Sequence, residues 1–549
     1  MATTGENPEQ RYREAGYRAT GLWTEQTLAG LVAAQAARHP DRDLFLFQGR
    51  RVTYGEFEVW TRTVAADLVG RGVRPGDRVL VQLPNCLEAL VLQVAAFRAG
   101  AVDVPVMPIY RQHEMRQILA DCRPAAVCTA TELGDRAPVA EIDALLDELG
   151  LAPAVRYAVG EAHPGWSAVP GPVDAPVELP GPPPVDEPVL LLYTSGTTAA
   201  PKGALLSSRA LIAHLVNFRD ALGAGEHTVT LAATPLSHLG GFVAAVVFPV
   251  FLGGRSVVMP GWQPDTAVEL IDREGVNLMM GATVFAADLT ARYESAPAST
   301  RRLDVYACAG AAIAPEVVDR ASAVGMAVVR AYGMTETAGV CAVAWSGDPL
   351  ARRREWDGRL LRGMEMQAVD DERRPVPPGT VGHLRIRGPQ LLTAYTDPAL
   401  TAGQIDADGW FYPGDVGRVD AEGWVQIAGR TKDIVNRGGE KFSTMDIEIA
   451  ISSCPGVRRV AVTAVADERL GEAVGAWIVV DDDLLAAGPD RVVAHLHERG
   501  LARQKTPVEW HVVDEIPATA IGKVQKHRLA DLPDRRVWTT GPTPVKGSR

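Results

Sequence analysis

The sequence predicts an α/β protein in two parts, a large N-terminal domain built on largely parallel sheets covered by helices and a small C-terminal α+β domain. Three observations carry this expectation. Helix-spaced and strand-like segments alternate from Thr27 to Ala130, the pattern of parallel strands joined by helical crossovers. The chain of 549 residues is longer than one ordinary domain. Near Arg430 the composition shifts to a run of short strands and one helix.

Taken in order, TLAGLVAAQAARH (27–39) and YGEFEVWTRTVAADLVGRG (54–72) place apolar residues at helical spacing. RVLVQL (78–83) is a compact strand, followed by a helix from about Cys86 to Gly100 and a second strand, AVDVPV (101–106). The proline-rich VPGPVDAPVELPGPPPVDEP (169–188) predicts an extended surface connection. The strand PVLLLY (188–193) then delivers a loop at its carboxyl end, where open α/β sheets bind ligands. LGGFVAAVVFPVFLGG (239–254) is the most apolar stretch, but it is too short to cross a bilayer and is interrupted by glycine and Pro249. After Arg430, GVRRVAVTAVAD (456–467), AVGAWIVVD (473–481) and a helix over 490–500 form the α+β module, and the tail over about 537–549 reads as disordered.

Apolar residues make up 47% and charged residues 22%, the balance of a globular protein with a substantial core. A formal net charge of −12 argues against nucleic acid or an acidic membrane surface as the main partner. Cys86, Cys122, Cys128, Cys308, Cys341 and Cys454 show neither a CxxC pair nor metal-ligand spacing, which fits a reduced compartment. The N-terminus lacks the apolar run of a signal peptide, so a cytoplasmic location is expected.

The loop after 188–193 reads YTSGTTAAPKGALLS (193–207). Thr194, Ser195, Thr197 and Thr198 offer hydroxyls, Gly196 and Gly203 flexibility, and Lys202 a charge, the equipment of a polyphosphate cradle. It is not a Walker A loop, because Lys202 follows Pro201 and precedes Gly203 rather than Ser or Thr. A Ser/Thr/Gly run of this kind also occurs as a plain surface turn. Four further segments decide between the two.

With CAGAAIA (308–314), AYGMTETAG (331–339), GWFYPGDVGRVDAEGWVQIAGRTKDIVNRGGEKFSTMDIE (409–448) and PATAIGKVQKHRL (517–529), the loop resembles the adenylate-forming superfamily. That superfamily holds acyl-CoA synthetases, adenylation domains and luciferases. The likeness, to the stand-alone acyl-CoA synthetase type, spans about Thr27 to Leu529. It implies stacked sheets with a small β-barrel-like subdomain in an N-terminal domain (1–429), and a mobile C-terminal domain (430–549) turning on a hinge at about 430–432. Thr431 and Lys432 are the implied pivot.

The resemblance also implies roles. Thr335 would touch phosphate and Glu336 hold Mg²⁺, a hard cation suited to a carboxylate and phosphate oxygens. Tyr332, with Gly333 beside it, would flank the adenine, and Gly310, Ala311 and Ala312 would lie on its other side. Asp415 would accept hydrogen bonds from the ribose hydroxyls, and Arg430 would reach the same ribose. Lys202 would contact phosphate, and Lys523 would neutralise the carboxylate and α-phosphate as acyl oxygen attacks phosphorus. Gly438, Gly439 and Glu440 resemble the loop lining the pantetheine channel once the small domain has rotated. TPLSHLGGFVAAVV (234–247) resembles the acyl tunnel helix, with His238 as gate and Leu239, Gly240, Phe242, Met334 and Ala338 around the acid. Small and apolar residues there suggest a bulky apolar acid, aliphatic or alicyclic.

Three positions depart from the family pattern. Ala199 stands in place of a glycine, Pro413 in place of a hydroxyl residue before Gly414 and Asp415, and Thr444 in place of a proline. The expected activity is an AMP-forming acid–CoA ligase using ATP, Mg²⁺ and coenzyme A, as a monomer or homodimer. Because two of the departures lie beside the nucleotide, an enzyme that mainly converts a preformed acyl-adenylate, supplied by a separate adenylating enzyme, is an alternative. Two more are a carrier-protein-loading adenylation enzyme and an inert nucleotide- or acyl-binding protein. CoA phosphate contacts could come from Arg352–Arg354 or Arg503–Lys505.

Overall fold

A computed structural model describes residues 8–174, 178–194, 201–297, 299–310, 313–430, 433–437, 440–467, 471–499, 501, 503–518 and 524–539. Two large sheets and the helices between them form the bulk of the N-terminal part. The first has eight strands, with Val102–Pro105, Arg78–Gln82, Ala126–Ala130 and Val155–Val159 as a parallel centre. Pro188–Thr194 joins it in parallel beside Val102–Pro105 and turns back into the antiparallel Lys202–Ser207. The second sheet has nine strands. Its parallel run is Asp43–Phe47, Arg255–Val258, Val229–Ala232, Leu278–Gly281, Val305–Cys308 and Ala327–Met334. Antiparallel strands close both edges, Arg50–Thr53 on one side and Gly339–Val343 with Arg359–Leu360 on the other.

The strands are parallel and nearly all-apolar because both faces are covered. The helix Leu87–Arg98 shows why. Ten of its residues from Leu87 to Phe97 are buried all round its circumference, which suits a helix only at the centre of a large domain. One apolar cluster joins Val79 and Leu190 of the first sheet to Phe45 and Ala232 of the second through this helix and its neighbours, Leu28–Arg38 and Tyr54–Gly70. The proline-rich connection runs extended along the last of these. The Trp60 indole donates to the Pro170 carbonyl at 2.8 Å, and Arg62 pairs with Asp174 at 3.1 Å.

A four-stranded antiparallel sheet (Glu365–Val369, Gly382–Arg387, Asp415–Val419, Val425–Arg430) makes the small β subdomain and ends at Arg430. The C-terminal part is a six-stranded sheet around the long strand Gly471–Val480, which pairs with Val457–Asp467, and it carries the helices Thr444–Ser452 and Pro489–Glu498.

One feature adds to the expectation and another differs from it. The polar segment Pro8–Ala19 is a helix, held to the body where the Trp23 indole donates to the Pro389 carbonyl at 2.9 Å. The tail expected to be disordered from 537 instead continues as the strand Arg536–Thr539, with Trp538 paired to the buried Trp510. An aromatic partner across the ladder gives that segment apolar area to bury, which its composition alone did not suggest.

Candidate active site

The parallel strands of the second sheet deliver four loops at one edge, after Val229–Ala232, Leu278–Gly281, Val305–Cys308 and Ala327–Met334. Carboxyl ends of parallel strands are where such sheets bind ligands, and each loop is fixed from behind.

The first loop, Thr234 to His238, hangs on the buried side chain of Asn85. Its oxygen accepts from Leu236 N at 2.9 Å, and its amide donates to Thr234 O at 3.2 Å and Met259 O at 3.0 Å. Gln93 adds a bond to Leu236 O at 3.0 Å. His238 then caps the helix Leu239–Phe242, with Nδ1 accepting from Gly240 N at 3.1 Å. Gly240 is exposed, whereas a Cβ at Gly241 would stand 2.0 Å from the Pro235 carbonyl oxygen. Leu239 and Phe242 turn into the core, Phe242 against Phe97 at 5.8 Å between ring centroids. They back the loop, because the helix begins with its apolar side inward.

That helix is interrupted. Over Val243–Val247 it widens by a π turn, and Phe248 N–H reaches back five residues to Val243 O. The cause is local. Ala244 O would next look to residue 248 or 249, but the Phe248 N–H is taken and Pro249 has none. The Thr230 hydroxyl fills the gap, donating to Ala244 O at 2.9 Å.

The second loop went unremarked in the sequence. A Cβ at Gly281 would stand 2.8 Å from the Tyr306 hydroxyl and 3.1 Å from the Phe285 ring. Tyr306 is fully buried and donates to Ala282 O at 2.6 Å. A glycine ending an apolar strand signals such close approach, and Gly281 was that signal.

In the third loop Gly310 has φ +89°, and Ala311 and Ala312 lie outside the described residues. Below it Arg330 is buried. Its guanidinium donates to Asp357 Oδ1 at 2.7 and 3.0 Å and to Arg354 O at 2.7 Å, while Asp357 Oδ2 accepts from Ile427 N at 2.8 Å. One buried, fully engaged pair thus ties the strand bearing Tyr332 to the strand ending at Arg430.

The fourth loop holds the densest cluster. Tyr332 donates to Asp415 Oδ2 at 2.6 Å, and Arg430 Nε lies 3.2 Å from Asp415 Oδ1. Burial and the neighbouring carboxylate push the Tyr332 phenol well above its usual range, so it stays a donor. Thr335–Thr337 form a single 3₁₀ turn, followed by Ala338 at φ +49°. Glu336 Oε1 accepts from the Tyr395 hydroxyl at 2.9 Å, and the same hydroxyl lies 2.9 Å from Gln404 Oε1. Met334 flanks the turn, half-buried, and His214 lies behind Gly339, where a Cβ would stand 2.6 Å from its ring.

Asp415 is delivered by Pro413 and Gly414. Gly414 has φ +76° with open space at its Cβ position, so conformation rather than crowding demands glycine. Proline followed by a glycine at positive φ is the sequence of a type II turn. Pro413 therefore has a local reason for standing where it does.

Thr194 and Lys202 pair across the hairpin that brackets the phosphate loop, while Ser195 to Ala200, including Gly196, Thr197, Thr198 and Ala199, lie outside the described residues. Gly203, expected to supply flexibility, answers to packing instead, since a Cβ there would stand 2.8 Å from Thr396 Oγ1. In the C-terminal part Thr431, Lys432, Gly438, Gly439 and Lys523 also lie outside the described residues, and only the backbone of Glu440 is described. Arg352 is engaged by Asp420 at 3.0 Å and Glu422 at 3.2 Å, and Arg354 by Asp319 at 3.3 Å, so that arginine run has structural work. Arg503–Lys505 form a 3₁₀ turn.

Among the described residues no group of three or more His, Cys, Asp or Glu could hold a metal ion alone. A single half-buried carboxylate, oriented by a tyrosine and set beside Thr335, is a donor set for a hard cation completed by phosphate oxygens. The residues present fit Mg²⁺ on those terms. No helix among the described residues is long and apolar enough to cross a membrane.

Comparison with known proteins gives the family. The family description "AMP-binding enzyme" matches residues 32–396, and "AMP-binding enzyme C-terminal domain" matches 446–523. A medium-chain fatty-acid–CoA ligase of Escherichia coli K12 is 32% identical, over 94% of this chain and 92% of that protein. A salicylyl-CoA synthase / salicylate adenylyltransferase of a Streptomyces species is 33% identical, over 95% of each. The crystal structure of ATP-bound MatB from Rhodopseudomonas palustris is 28% identical and covers 92% of this chain and 99% of its own, with a TM-score of 0.81.

Proposed function

The chain belongs to the AMP-binding enzymes, and from that premise we propose that it joins a bulky apolar carboxylic acid to coenzyme A through an acyl-adenylate. The observation that carries the reading is the Tyr332–Asp415–Arg430 cluster, with Glu336 one turn away. It presents an aromatic face, a two-oxygen acceptor for a ribose diol and a carboxylate for a cation.

In the first step a carboxylate oxygen attacks the α-phosphorus of ATP, the bond to the β-phosphate oxygen breaks, and pyrophosphate leaves. Asp415 orients the ribose and Tyr332 the base. Lys202 and the hydroxyls of Thr194 and Thr335 hold phosphate oxygens. Glu336 would hold Mg²⁺, which when bound supplies charge neutralisation on those oxygens. Lys523 offsets the charge gathering between carboxylate and phosphate. In the second step the thiol loses its proton, its sulfur attacks the acyl carbon, and AMP leaves. Rotation of the C-terminal part about 430–432 exchanges Lys523 for the 438–440 segment between the steps.

For the acid, the residues expected around it support the reading, since Gly240, Met334 and Ala338 carry no charge that would pair a second acid or amine group. His238 stands at the exposed Gly240 end as the gate. The relatives named above act on a medium-chain fatty acid and on salicylate, so the scaffold accepts both a chain and a ring. Pro413 is accounted for by its turn, which favours the complete reaction over one limited to preformed adenylates.

The test is mass spectrometry of AMP and acyl-CoA over a panel of aliphatic and alicyclic acids with ATP, Mg²⁺ and CoA. Product from these acids, lost in Asp415→Ala, is expected. Acyl-CoA formed only from a synthetic acyl-adenylate would overturn the two-step reading. Turnover confined to small dicarboxylic acids would overturn the substrate class.

A further inference from the structure

Thr444 departs from the family pattern, and the structure gives it a partner. The helix Thr444–Ser452 begins there, at the edge of the C-terminal part, and Thr444 is buried. Its hydroxyl accepts from Lys526 Nζ at 2.7 Å, and the same ammonium lies 2.8 Å from Glu448 Oε1, one turn further along the helix. That carboxylate oxygen also accepts from Val462 N at 2.8 Å on the neighbouring strand. Lys526 is thus a compact point charge holding two groups of one helix face.

Both ends of this contact lead to the chemistry proposed above. Lys526 follows Lys523 by three residues. Ala518 and Val524 pair in an antiparallel bridge on either side of residues 519–523, and Gln525 N donates to Pro517 O at 2.8 Å. Val524 packs on a small cluster of Trp477, Val513, Ile516 and Leu529. At the other end, Ser443 caps the helix by accepting from Met445 N at 3.2 Å, and its hydroxyl donates to the Ala428 carbonyl, two residues before Arg430. A continuous bonded path therefore runs from the hinge strand through the first turn of the helix to the segment beside Lys523.

We infer that Lys526, gripping Thr444 and Glu448, is a positioning residue for the adenylation half-reaction, setting how far the Lys523 segment stands from the hinge. This rests on the reading of Lys523 given above. Lys526 meets no substrate; it fixes where its neighbour can reach. A displacement of about 1 Å at a reacting group can cost on the order of 100-fold in rate. The thioester half-reaction does not use Lys523, so it should be spared.

The two half-reactions are measured separately in the full chain, adenylation by acid-dependent pyrophosphate–ATP exchange and thioester formation from a synthetic acyl-adenylate and CoA. Lys526→Met should slow adenylation about 10- to 100-fold and leave the second step within about twofold. Lys526→Arg should recover most of the loss, and Thr444→Val should give a smaller loss of the same kind. Lys523→Ala is the control for the reading beneath. If it slows adenylation while Lys526→Met does not, the positioning role is wrong and the reading stands. If Lys523→Ala leaves adenylation unchanged, both fall. Equal slowing of both half-reactions by Lys526→Met would assign it a merely structural role and overturn the inference. Should Lys526→Met fail to fold, Thr444→Val alone decides, since it removes one hydrogen bond and keeps the charge pair.

Discussion

His214 and Asp103 are buried side chains that move stability with pH in opposite directions. Burial pushes the His214 imidazole down to about 4, so it is neutral in the folded protein while the unfolded chain takes up a proton near 6.5. Between those values the unfolded state binds more protons, and stability falls as pH falls. The full effect is about 3 kcal/mol, lost between pH 6.5 and 4. Denaturant titrations across that window should show this slope, reduced in His214→Gln. Asp103 lies mid-strand with both carboxylate oxygens buried and no side-chain partner among the described residues, and burial, opposed by the Val104 N–H, holds its carboxyl well above the usual range. Above pH 4 the unfolded chain releases that proton while the folded protein keeps it, so stability falls as pH rises. Asp103→Asn should therefore be more stable than the parent at pH 8, with less gain at pH 5. Neither effect was legible in sequence, because AVDVPV reads as a strand without revealing which face Asp103 occupies or how deeply it is buried. The residue types of the candidate site were more legible. Tyr332 and Asp415, 83 residues apart in the chain, meet within hydrogen-bond distance, with Arg430 on the other oxygen of Asp415.

Among elements, the pocket helix shows where local rules compete. Its glycine-led start and Pro249 were visible in the sequence; the π turn between them was not, since it follows from a carbonyl that a residue on another strand must satisfy. Thr230→Val keeps the shape and removes the donor, leaving Ala244 O unpaired in the core. The expected cost is about 1–3 kcal/mol, read as a lowered denaturation midpoint, with a shifted ranking among the acids accepted. Gly240 and Gly241 separate in the same way. Leucine at the exposed Gly240 should narrow the acid profile of a folded enzyme, whereas leucine at Gly241 meets the Pro235 carbonyl and should unfold it. The sequence presents two adjacent glycines as equivalent; only the backbone beside them tells which one tolerates a side chain.

For the whole molecule, alternating segments from Thr27 to Ala130 predicted the parallel centre of the first sheet. The second sheet's centre, over 229–334, was implied only by the family resemblance. The antiparallel edges were not foreseen, because register there depends on chain-distant partners such as Leu205 and Ala394. The two parts touch at Ser443 with the Ala428 carbonyl, beside the hinge, and further out at Arg499 with Glu316, the latter two 2.5 Å apart and each 42% exposed. An ion pair so open to solvent contributes under about 1 kcal/mol. Arg499→Ala should leave the melting temperature nearly unchanged, and any effect should appear as an altered ratio between the half-reaction rates. A large loss of stability would mean that the two parts are not free to turn. Lys526 binds inside the C-terminal part, so its substitution and that of Arg499 should act additively.

The carboxylate of Asp415 holds a phenol on one oxygen and a guanidinium on the other. A sugar arriving there displaces or shares existing partners; it does not rescue an abandoned charge. Exchanging partners in this way should make ATP raise the melting temperature only modestly, which a thermal shift series against ATP checks.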